Sequence, residues 1–350
     1  MTSFALVTGA PGWMGTALVR SLAQGLPDVP ALRSPRASTV RCLVLPDADA
    51  SDLEELGHGV QLVRGDLRDE STLVPLFEGA EGATVFHAAG VIHPPGRTSL
   101  FTDVNVLGTQ RLLALAEQHG VRRFVYISSN SPIGVNPFQS HTFDEASPYD
   151  PYMGYGKSKM AAEQLVLKAE SRGKLETVIM RPPWFYGPGQ PPRQSLFFQL
   201  IRDGKVPIVG DGQNRRSMGY IDNLCQGALL CASVPEARGQ IYWIADDRPY
   251  TMNEIVDTIE RVLERDFQVK VAHKRMRMPY VLGQIAQAVD ATLQAAGLYH
   301  QKMHVLSEMN KTIACTVQKA KRELGYRPTV ELEEGMRRSI RWLLDRGVKL

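Results

Sequence analysis

The first residues of the chain change from a continuous apolar run to a glycine-rich segment and then to apolar residues at helical spacing. Residues 4–7 (FALV) are apolar throughout, which is typical of a buried parallel strand. After the glycines, Ala17, Leu18 and Leu22 fall on one side of a predicted helix that starts near residue 16. This pattern predicts a strand, a tight turn and a helix in direct succession.

The same alternation continues along the chain. Further apolar runs predict strands over 40–46, 60–67, 83–90, 122–129 and 240–246. Segments with helical periodicity, such as 104–120, lie between them. We therefore predict an α/β fold, a doubly wound parallel sheet of the Rossmann type with helices on both faces. Ligands of such sheets bind beyond the carboxyl ends of the strands.

Composition narrows the class of protein. The 350 residues carry a formal net charge of only +3, which gives no reason to expect nucleic-acid binding. The four cysteines have neither CxxC spacing nor a histidine cluster, so we expect buried free thiols and no metal site. No signal peptide is expected, and polar residues interrupt the most apolar stretch, 279–299. We expect a cytoplasmic protein without stable membrane insertion.

Gly9, Gly12 and Gly15 follow the first predicted strand in a G-x-x-G-x-x-G spacing. A tight turn, a close approach of backbone amides to a pyrophosphate and close packing of helix on strand each need a residue without a Cβ atom. The free N–H groups of the following helix would face the anion. A glycine triplet alone indicates only a turn, but the strand before it and the helix after it favour a nucleotide site.

The end of the second predicted strand bears on the choice of cofactor. Asp47 follows this strand and would bind the ribose 2′-hydroxyl of NAD, whereas Arg33 and Arg36 in the preceding proline-rich segment would suit the 2′-phosphate of NADP. NAD is favoured over NADP. The alternative is that Asp47 only caps a helix beginning near Ser51.

Tyr155 and Lys159 lie in the segment MGYGKSKM (153–160), which starts a predicted helix after the fifth predicted strand. Their i, i+4 spacing places both side chains on one face, whereas Lys157 points elsewhere and Tyr152 has only Gly156 at i+4. A lysine ammonium beside a phenol is expected to lower the tyrosine pKa and prepare it for proton transfer.

The ordered set of segments resembles an extended short-chain dehydrogenase/reductase over nearly the full length, and most closely the 3β-hydroxysteroid dehydrogenase-like branch. The matching segments are TGAPGWMG (8–15), GDL (65–67), HAAG (87–90), NVLGT (105–109), YISS (126–129), YGKSK (155–159), RPPWFYGPG (181–189), GYIDNL (219–224) and KAKRELGYRP (319–328). The resemblance implies an NAD(P)-binding domain over 1–183, with 219–246 returning to it, and a substrate-binding domain over 184–350.

The resemblance also implies the site. Tyr155 would be the acid/base, Ser129 would hydrogen-bond the substrate oxygen, and Lys159 would hold the nicotinamide ribose. Asn105 would support the proton path of Lys159, with packing as its alternative role. The cofactor set is Gly9, Pro11, Gly12, Trp13, Met14, Gly15, Asp47, Asp66, Leu67, His87, Ala88, Ala89, Tyr155, Lys159 and Pro182, and the substrate set is Ser129, Asn130, Trp184 and Arg216.

Two residues bear on the substrate, which is expected to be a small molecule. Nucleotide-sugar epimerases and dehydratases that resemble this chain have Asn in RxxNxYGP, where this sequence has Trp184. An indole offers an apolar wall and cannot replace the amide as a phosphate ligand. Arg216 points the other way, since those enzymes keep an arginine there for the diphosphate, although a surface arginine in a loop is its alternative reading.

Residues 273–310 are rich in Met, Leu and Ala after a basic start and resemble the corresponding region of the 3β-hydroxysteroid dehydrogenase-like members. The segment suits an apolar ligand or a peripheral membrane contact; helix packing and a homodimer contact are the alternatives. The first hypothesis is thus an oxidoreductase acting on a secondary alcohol or ketone. A nucleotide-sugar 4-epimerase or dehydratase with tightly bound NAD is the second, and a non-catalytic cofactor-binding module is the third.

Overall fold

The computed structural model describes residues 4–57 and 59–350. Its strands are β1 (Phe4–Thr8), β2 (Thr39–Val44), β3 (Val60–Arg64), β4 (Thr84–His87), β5 (Arg123–Ile127), β6 (Glu176–Arg181), β7 (Trp184–Tyr186), β8 (Pro207–Val209), β9 (Arg215–Arg216), β10 (Met218–Tyr220), β11 (Ile241–Trp243), β12 (Tyr250–Thr251) and β13 (Met276–Met278). Its α-helices are α1 (Trp13–Gln24), α2 (Ser51–Glu54), α3 (Leu107–Gln118), α4 (Met153–Ser171), α5 (Pro192–Arg202), α6 (Ile221–Ser233), α7 (Met252–Phe267), α8 (Tyr280–Ala295), α9 (Gln301–Glu308), α10 (Gln318–Leu324) and α11 (Leu332–Asp345).

Seven strands form one parallel sheet in the order β11-β6-β5-β4-β1-β2-β3. The chain winds outward from β1 to β3, returns beside β1 with β4, and then winds in the other direction. The strand order therefore reverses between β1 and β4, and at this reversal the carboxyl ends leave a crevice. The predicted α/β doubly wound sheet is confirmed.

The two faces of the sheet carry different helices. Apolar residues of α3 and α4, such as Leu112 and Val166, are buried in the core on one face. Residues of α1 and α6, such as Leu18 and Leu224, belong to the core on the other face. Both faces are covered, which explains why interior strands such as β1 and β4 are mostly apolar without polar alternation.

Within residues 219–246, α6 packs on α1 and β11 pairs with β6 at the edge of this sheet. The remaining small strands pair outside it: β7 with β10, β8 with β13, and β9 with β12. Helices α8 and α9 form a hairpin, and α11 packs on α7. The division at residue 183 into cofactor and substrate domains stays a prediction.

The buried Asn223 of α6 fastens the C-terminal segment to the sheet. Its Nδ2 donates to the carbonyl of Val330 (2.8 Å) and to Asp246 (3.1 Å), and its Oδ1 accepts from the backbone N–H of Thr329 (2.9 Å). An amide with all these partners stabilises long-range contacts that no local pattern reveals.

We predict that Asn223→Ala lowers the free energy of unfolding by roughly 1–3 kcal/mol, because buried partners lose their hydrogen bonds. Urea unfolding measures the change. Asn310→Ala is the matched control, since Asn310 is equally buried but neither of its polar side-chain atoms has a hydrogen-bond partner among the described residues. Equal losses in the two variants would contradict the prediction.

Candidate functional site

The glycine loop lies where the strand order reverses. Gly9 directly follows β1 and has φ +93°, and a Cβ atom added to it would lie 2.6 Å from backbone atoms of Ala88 and Ala89, just after β4. A Cβ atom on Gly15 would lie 2.4 Å from the backbone of Gly9. The loop, the start of α1 and the end of β4 are therefore in direct backbone contact, which only glycine permits at these positions.

The start of α1 is suited to an anion. Gly12 is the N-cap residue, and its side-chain position offers no acceptor to the first-turn amides. A Cβ atom on Gly12 would lie 2.7 Å from the carbonyl oxygen of Gly9, so the cradle exists only with glycine. Uncapped amides at a helix N-terminus fit a pyrophosphate group. The residues present therefore fit the dinucleotide that the sequence predicts.

Trp13, also in the predicted cofactor set, joins this loop to a later segment. Its indole Nε1 donates to the carbonyl of Pro188 (2.7 Å), and its ring centroid lies 4.7 Å from that of Phe185. Its neighbour Met14 is buried in the core, and Pro11 is exposed in the loop. Pro182, directly after β6, is buried.

The acidic residues predicted for the cofactor have different surroundings. Asp47 is exposed in the loop after β2, and Asp49, not Asp47, accepts the backbone N–H of Ser51 at the start of α2. The capping alternative for Asp47 is therefore wrong. Asp66 forms a salt bridge with Arg68 (2.5 Å), whose side-chain hydrogen bond keeps the pKa of Asp66 below its usual value. Leu67 beside it is buried.

The arginines that would favour NADP are held differently. Arg33 is exposed and donates to the carbonyl of Pro27 (2.9 Å), and Arg36 is half-buried. Arg64 was not predicted from the sequence; its guanidinium donates to the carbonyls of Ala48 (2.6 Å) and Leu45 (3.2 Å). A cation thus lies on the loop that carries Asp47, but nothing in the local pattern around β3 identifies it.

His87 is a buried structural residue. Thr109 donates to the carbonyl of Asn105 (2.6 Å), so its oxygen accepts from Nε2 of His87 (2.9 Å), and Nδ1 of His87 then accepts from Thr8 (2.7 Å). Burial, reinforced by the Lys159 charge, lowers the pKa of His87 to about 3, so the ring is neutral. Its hydrogen bonds connect β1, β4 and α3 beneath the crevice.

Ser129, Tyr155 and Lys159 meet at the end of β5. Ser129 follows β5 and is buried, and Tyr155 lies half-buried in the first turn of α4. Lys159, one turn later, is buried and donates from Nζ to the carbonyl of Ile127 (2.8 Å). Its ammonium also lies 4.2 Å from the ring centroid of Tyr126. The helix and the strand end thus bring the three predicted residues to one place.

The pKa of Tyr155 shifts in the direction opposite to the one we expected from sequence. Burial raises it to about 12; the Ser129 side chain opposes this rise and the charge of Glu308 adds to it. Burial also lowers the pKa of Lys159 to about 7, against the opposing charge of Glu163. The expectation failed because i, i+4 spacing predicts proximity but not the desolvation that dominates both groups.

A buried ion pair between Arg181 and Glu163 lies next to Lys159. Arg181, at the end of β6, donates to both carboxylate oxygens of Glu163 (3.0 and 2.6 Å). Ser128 (2.5 Å) and Tyr149 (2.8 Å) donate to the same carboxylate. Glu163 follows Lys159 by one helical turn, so the pair joins α4 to the ends of β5 and β6.

Asn105 lies in a π-helical turn (101–106) that leads into α3. Its side chain exchanges two hydrogen bonds with the backbone of Val91 (2.7 and 2.9 Å) and donates to Ser158 (3.0 Å). Ser158 in turn donates to the carbonyl of Tyr155 (2.7 Å). Asn105 therefore joins the segment after β4 to α4 through Ser158.

Tyr152 has a partner that the sequence analysis excluded. Its hydroxyl donates to Ser307 of α9 (2.8 Å), whereas Lys157 is exposed as predicted. Spacing along one helix does not reveal this partner, because Ser307 is separated from Tyr152 by 155 residues. Asn130, predicted to contact substrate, is half-buried and accepts a long hydrogen bond from Ser129 (3.4 Å).

The two residues predicted to report on substrate lie in different environments. Trp184 on β7 is half-buried, with its ring 5.8 Å from that of Phe197. Arg216 on β9 is buried, and its Nη2 donates to the carbonyl of Glu308. The alternative reading of Arg216 as a surface arginine in a loop is therefore wrong.

Aromatic residues beside Tyr155 escaped the sequence analysis. The ring of Phe101 lies 6.1 Å from that of Tyr155 and 5.9 Å, edge to face, from that of Tyr299. The Tyr299 hydroxyl lies 2.5 Å from Nδ1 of His93. These residues come from the π-helical turn, the α8–α9 connection and the segment after β4, so no local spacing connects them.

In the described ranges, 4–57 and 59–350, no helix is both long and apolar enough to cross a membrane. No group of three His, Cys, Asp or Glu side chains in those ranges is placed to hold a metal ion. All four cysteines are buried, as predicted.

Comparison with known proteins adds the family. The NAD dependent epimerase/dehydratase family matches residues 5–245. An uncharacterized protein, y4nL, of Sinorhizobium fredii is 49% identical over 98% of this chain and 95% of its own length. The 3 beta-hydroxysteroid dehydrogenase type 7 of Mus musculus is 30% identical over 97% of this chain and 95% of its own length.

Among solved structures, DesIV, a dTDP-glucose 4,6-dehydratase of Streptomyces venezuelae solved with NAD bound, is 28% identical and has a TM-score of 0.73, with 98% of each chain covered. The relatives include a steroid dehydrogenase and a sugar-nucleotide dehydratase, and the family match spans the whole seven-stranded sheet. The chain belongs to the NAD dependent epimerase/dehydratase family.

Proposed function

We propose that this enzyme interconverts a secondary alcohol and a ketone on a rather apolar small molecule, with NAD or NADP as cofactor. The observation that carries the proposal is the convergence of Ser129, Tyr155 and Lys159 at the end of β5, beside an aromatic wall formed by the buried rings of Phe101 and Tyr299. Aromatic rings pack against apolar or planar groups through their faces and edges. The similarity to a steroid dehydrogenase supports the same substrate class.

The glycine loop is proposed to hold the dinucleotide, with the pyrophosphate at the uncapped amides of α1. When bound, the nicotinamide ring supplies or accepts the hydride. Asp47 is exposed beside the end of β2, where it is free to bind a ribose hydroxyl, and this favours NAD. NADP is the alternative cofactor, because Arg33, Arg36 or Arg64 could bind its 2′-phosphate.

The chain's own residues handle the proton. A neutral Tyr155 donates from its hydroxyl to the substrate oxygen during reduction and receives the proton during oxidation. Ser129 donates a hydrogen bond to the same oxygen and fixes its position. Below its pKa of about 7, Lys159 places a cation one turn from Tyr155, which stabilises the tyrosinate left after donation. Asn105 is proposed to maintain this arrangement through Ser158.

A second candidate is a nucleotide-sugar 4-epimerase or dehydratase with retained NAD. It is favoured by the similarity to DesIV and by Arg216, which is buried and within electrostatic range of Tyr152. Trp184, which replaces the amide expected for such substrates, opposes it. Thermal-shift measurements with UDP-, GDP- and dTDP-sugars separate the two, because only this candidate predicts stabilisation by one of them. The homodimer, the peripheral membrane contact and the cytoplasmic location stay predictions.

We predict that Tyr155→Phe lowers turnover of 3-oxosteroids and simple cyclic ketones by roughly a hundredfold or more, because the phenol proton is lost. Oxidation of NADH or NADPH measures turnover, and cofactor fluorescence checks that binding persists. Tyr280→Phe is the control, since Tyr280 is exposed. Near-normal turnover in Tyr155→Phe would refute the role. A wild-type enzyme that binds cofactor but turns over no alcohol or ketone would favour the non-catalytic alternative.

We predict that Lys159 makes stability depend on pH. Its pKa is about 7 in the folded protein and 10.5 as its ordinary value, so between these values the unfolded chain binds one more proton than the folded one. Stability due to this group therefore rises with pH above about 7, by at most about 1.4 kcal/mol per pH unit.

Urea unfolding of the wild type and of Lys159→Met at pH 6.5, 7.5 and 8.5 measures this contribution as the difference between the two proteins. We expect the difference to grow with pH in favour of the wild type. Lys157→Met, two residues away and exposed, should leave the pH dependence unchanged. Parallel curves for the wild type and Lys159→Met would show that Lys159 keeps its ordinary pKa.

A further inference from the structure

Helix α4, which carries Tyr155, begins with a strained residue. Met153 is its first residue and has φ +53°, a left-handed conformation that residues with a Cβ atom disfavour. Such a conformation persists only when the surroundings hold it. Because Tyr155 is two residues further along, relaxation of Met153 would reorient the first helical turn and displace the phenol.

The α8–α9 hairpin holds the residues on both sides of Met153. On one side, the hydroxyl of Tyr152 donates to Ser307 of α9 (2.8 Å). On the other, the backbone N–H of Gly154 donates to Oε1 of Gln294 in α8 (2.9 Å). A first-turn N–H has no partner within its own helix, so Gln294 supplies the acceptor that the helix lacks.

The orientation of the Gln294 amide is itself determined. Its Nε2 donates to both oxygens of Asp290 (3.0 and 3.1 Å), which leaves Oε1 facing Gly154. Asp290 is fully buried and also accepts from Nδ1 of His304 (2.8 Å). Burial of a carboxylate is unfavourable unless donors surround it, so Asp290, with His304 as its second donor, keeps the Gln294 amide in place.

Gly154 fits this contact closely. A Cβ atom on it would lie 2.9 Å from Oε1 of Gln294 and 3.1 Å from the ring of Phe101, the same ring that packs near Tyr155. The hairpin, the aromatic wall and the strained turn are therefore in one contact region. None of these contacts passes through Ser129 or Lys159.

We propose that Gln294, fixed by Asp290, is a positioning residue for Tyr155: it holds the strained Met153–Gly154 turn and so places the phenol. The proposal rests on the proposed role of Tyr155 but concerns the hairpin, which is far from Tyr155 in sequence. It predicts that loss of the Gln294 acceptor lets the Met153–Gly154 turn relax. It also predicts that glycine at position 153 makes this acceptor less necessary, because glycine adopts positive φ without a steric penalty.

The test compares Gln294→Met, Met153→Gly and the double variant in the full-length protein. Methionine keeps the volume of glutamine but accepts no comparable hydrogen bond. In Gln294→Met we expect kcat to fall on the order of ten- to a hundredfold with little change in KM. Hydrogen exchange of a peptide covering 152–157 should also become faster. Gln287→Met is the matched control, because Gln287 lies on the same helix and bonds to Lys311 instead of α4.

In the double variant, most of the lost kcat and the slow exchange at 152–157 should return. If Gln294→Met behaves like Gln287→Met in both measurements, the proposal is wrong. If kcat and exchange in the double variant stay as they are in Gln294→Met, Gln294 supports the fold generally and does not hold a strained turn. That result also overturns the proposal. Should the wild type reduce no ketone, the proposed function fails separately, and the exchange measurements still decide whether Gln294 holds the turn.

Discussion

The ion pair between Glu163 and Arg181 is the interaction on which the arrangement of the site depends. Both side chains are almost completely buried, with 0% and 2% of their surface exposed. A buried pair is favourable only when its geometry is good and its remaining hydrogen-bonding groups are satisfied. Here the carboxylate receives two bonds from the guanidinium and one each from Ser128 and Tyr149. Nη1 of Arg181 has no hydrogen-bond partner among the described residues, and the guanidinium lies 5.4 Å and 5.8 Å from the ring centroids of Tyr149 and Trp243. Loss of either partner would leave an uncompensated charge between α4 and the sheet.

This pair also explains how residues from separate elements reach one place. Ser128 immediately precedes Ser129, and Lys159 precedes Glu163 by one turn of α4. Fixing Glu163 against Ser128 therefore sets the end of β5 and the helix in register with one another. The hydrogen bond from Lys159 to the carbonyl of Ile127 follows from the same register. The positions of Ser129 and Lys159 at the crevice are thus determined by the buried residues Ser128 and Glu163 beneath them.

Sequence patterns predicted the strands, the glycine loop and the Tyr155–Lys159 pair because each depends on local geometry. Parallel strands buried on both faces are continuous apolar runs, and i, i+4 spacing brings side chains together on any helix. The partner of Tyr152, the acceptor for Gly154 and the aromatic wall depend on α8 and α9, which are more than a hundred residues distant. Desolvation likewise depends on the complete packing, so the sign of the Tyr155 pKa shift was beyond local reasoning.

Glu163, Arg181, Asp290 and Lys159 are four buried ionisable groups on α4 or on elements next to it, and they are not compensated equally. Glu163 and Arg181 neutralise one another, and Asp290 receives donors from Gln294 and His304. Lys159 has one carbonyl acceptor and an aromatic face, and its pKa falls to about 7 because its charge is poorly solvated. Structural charges in a core are normally satisfied, whereas unfavourable electrostatics persist where a reaction uses them. Lys159 is therefore the least compensated of these four groups, which agrees with the role we propose for its charge beside Tyr155.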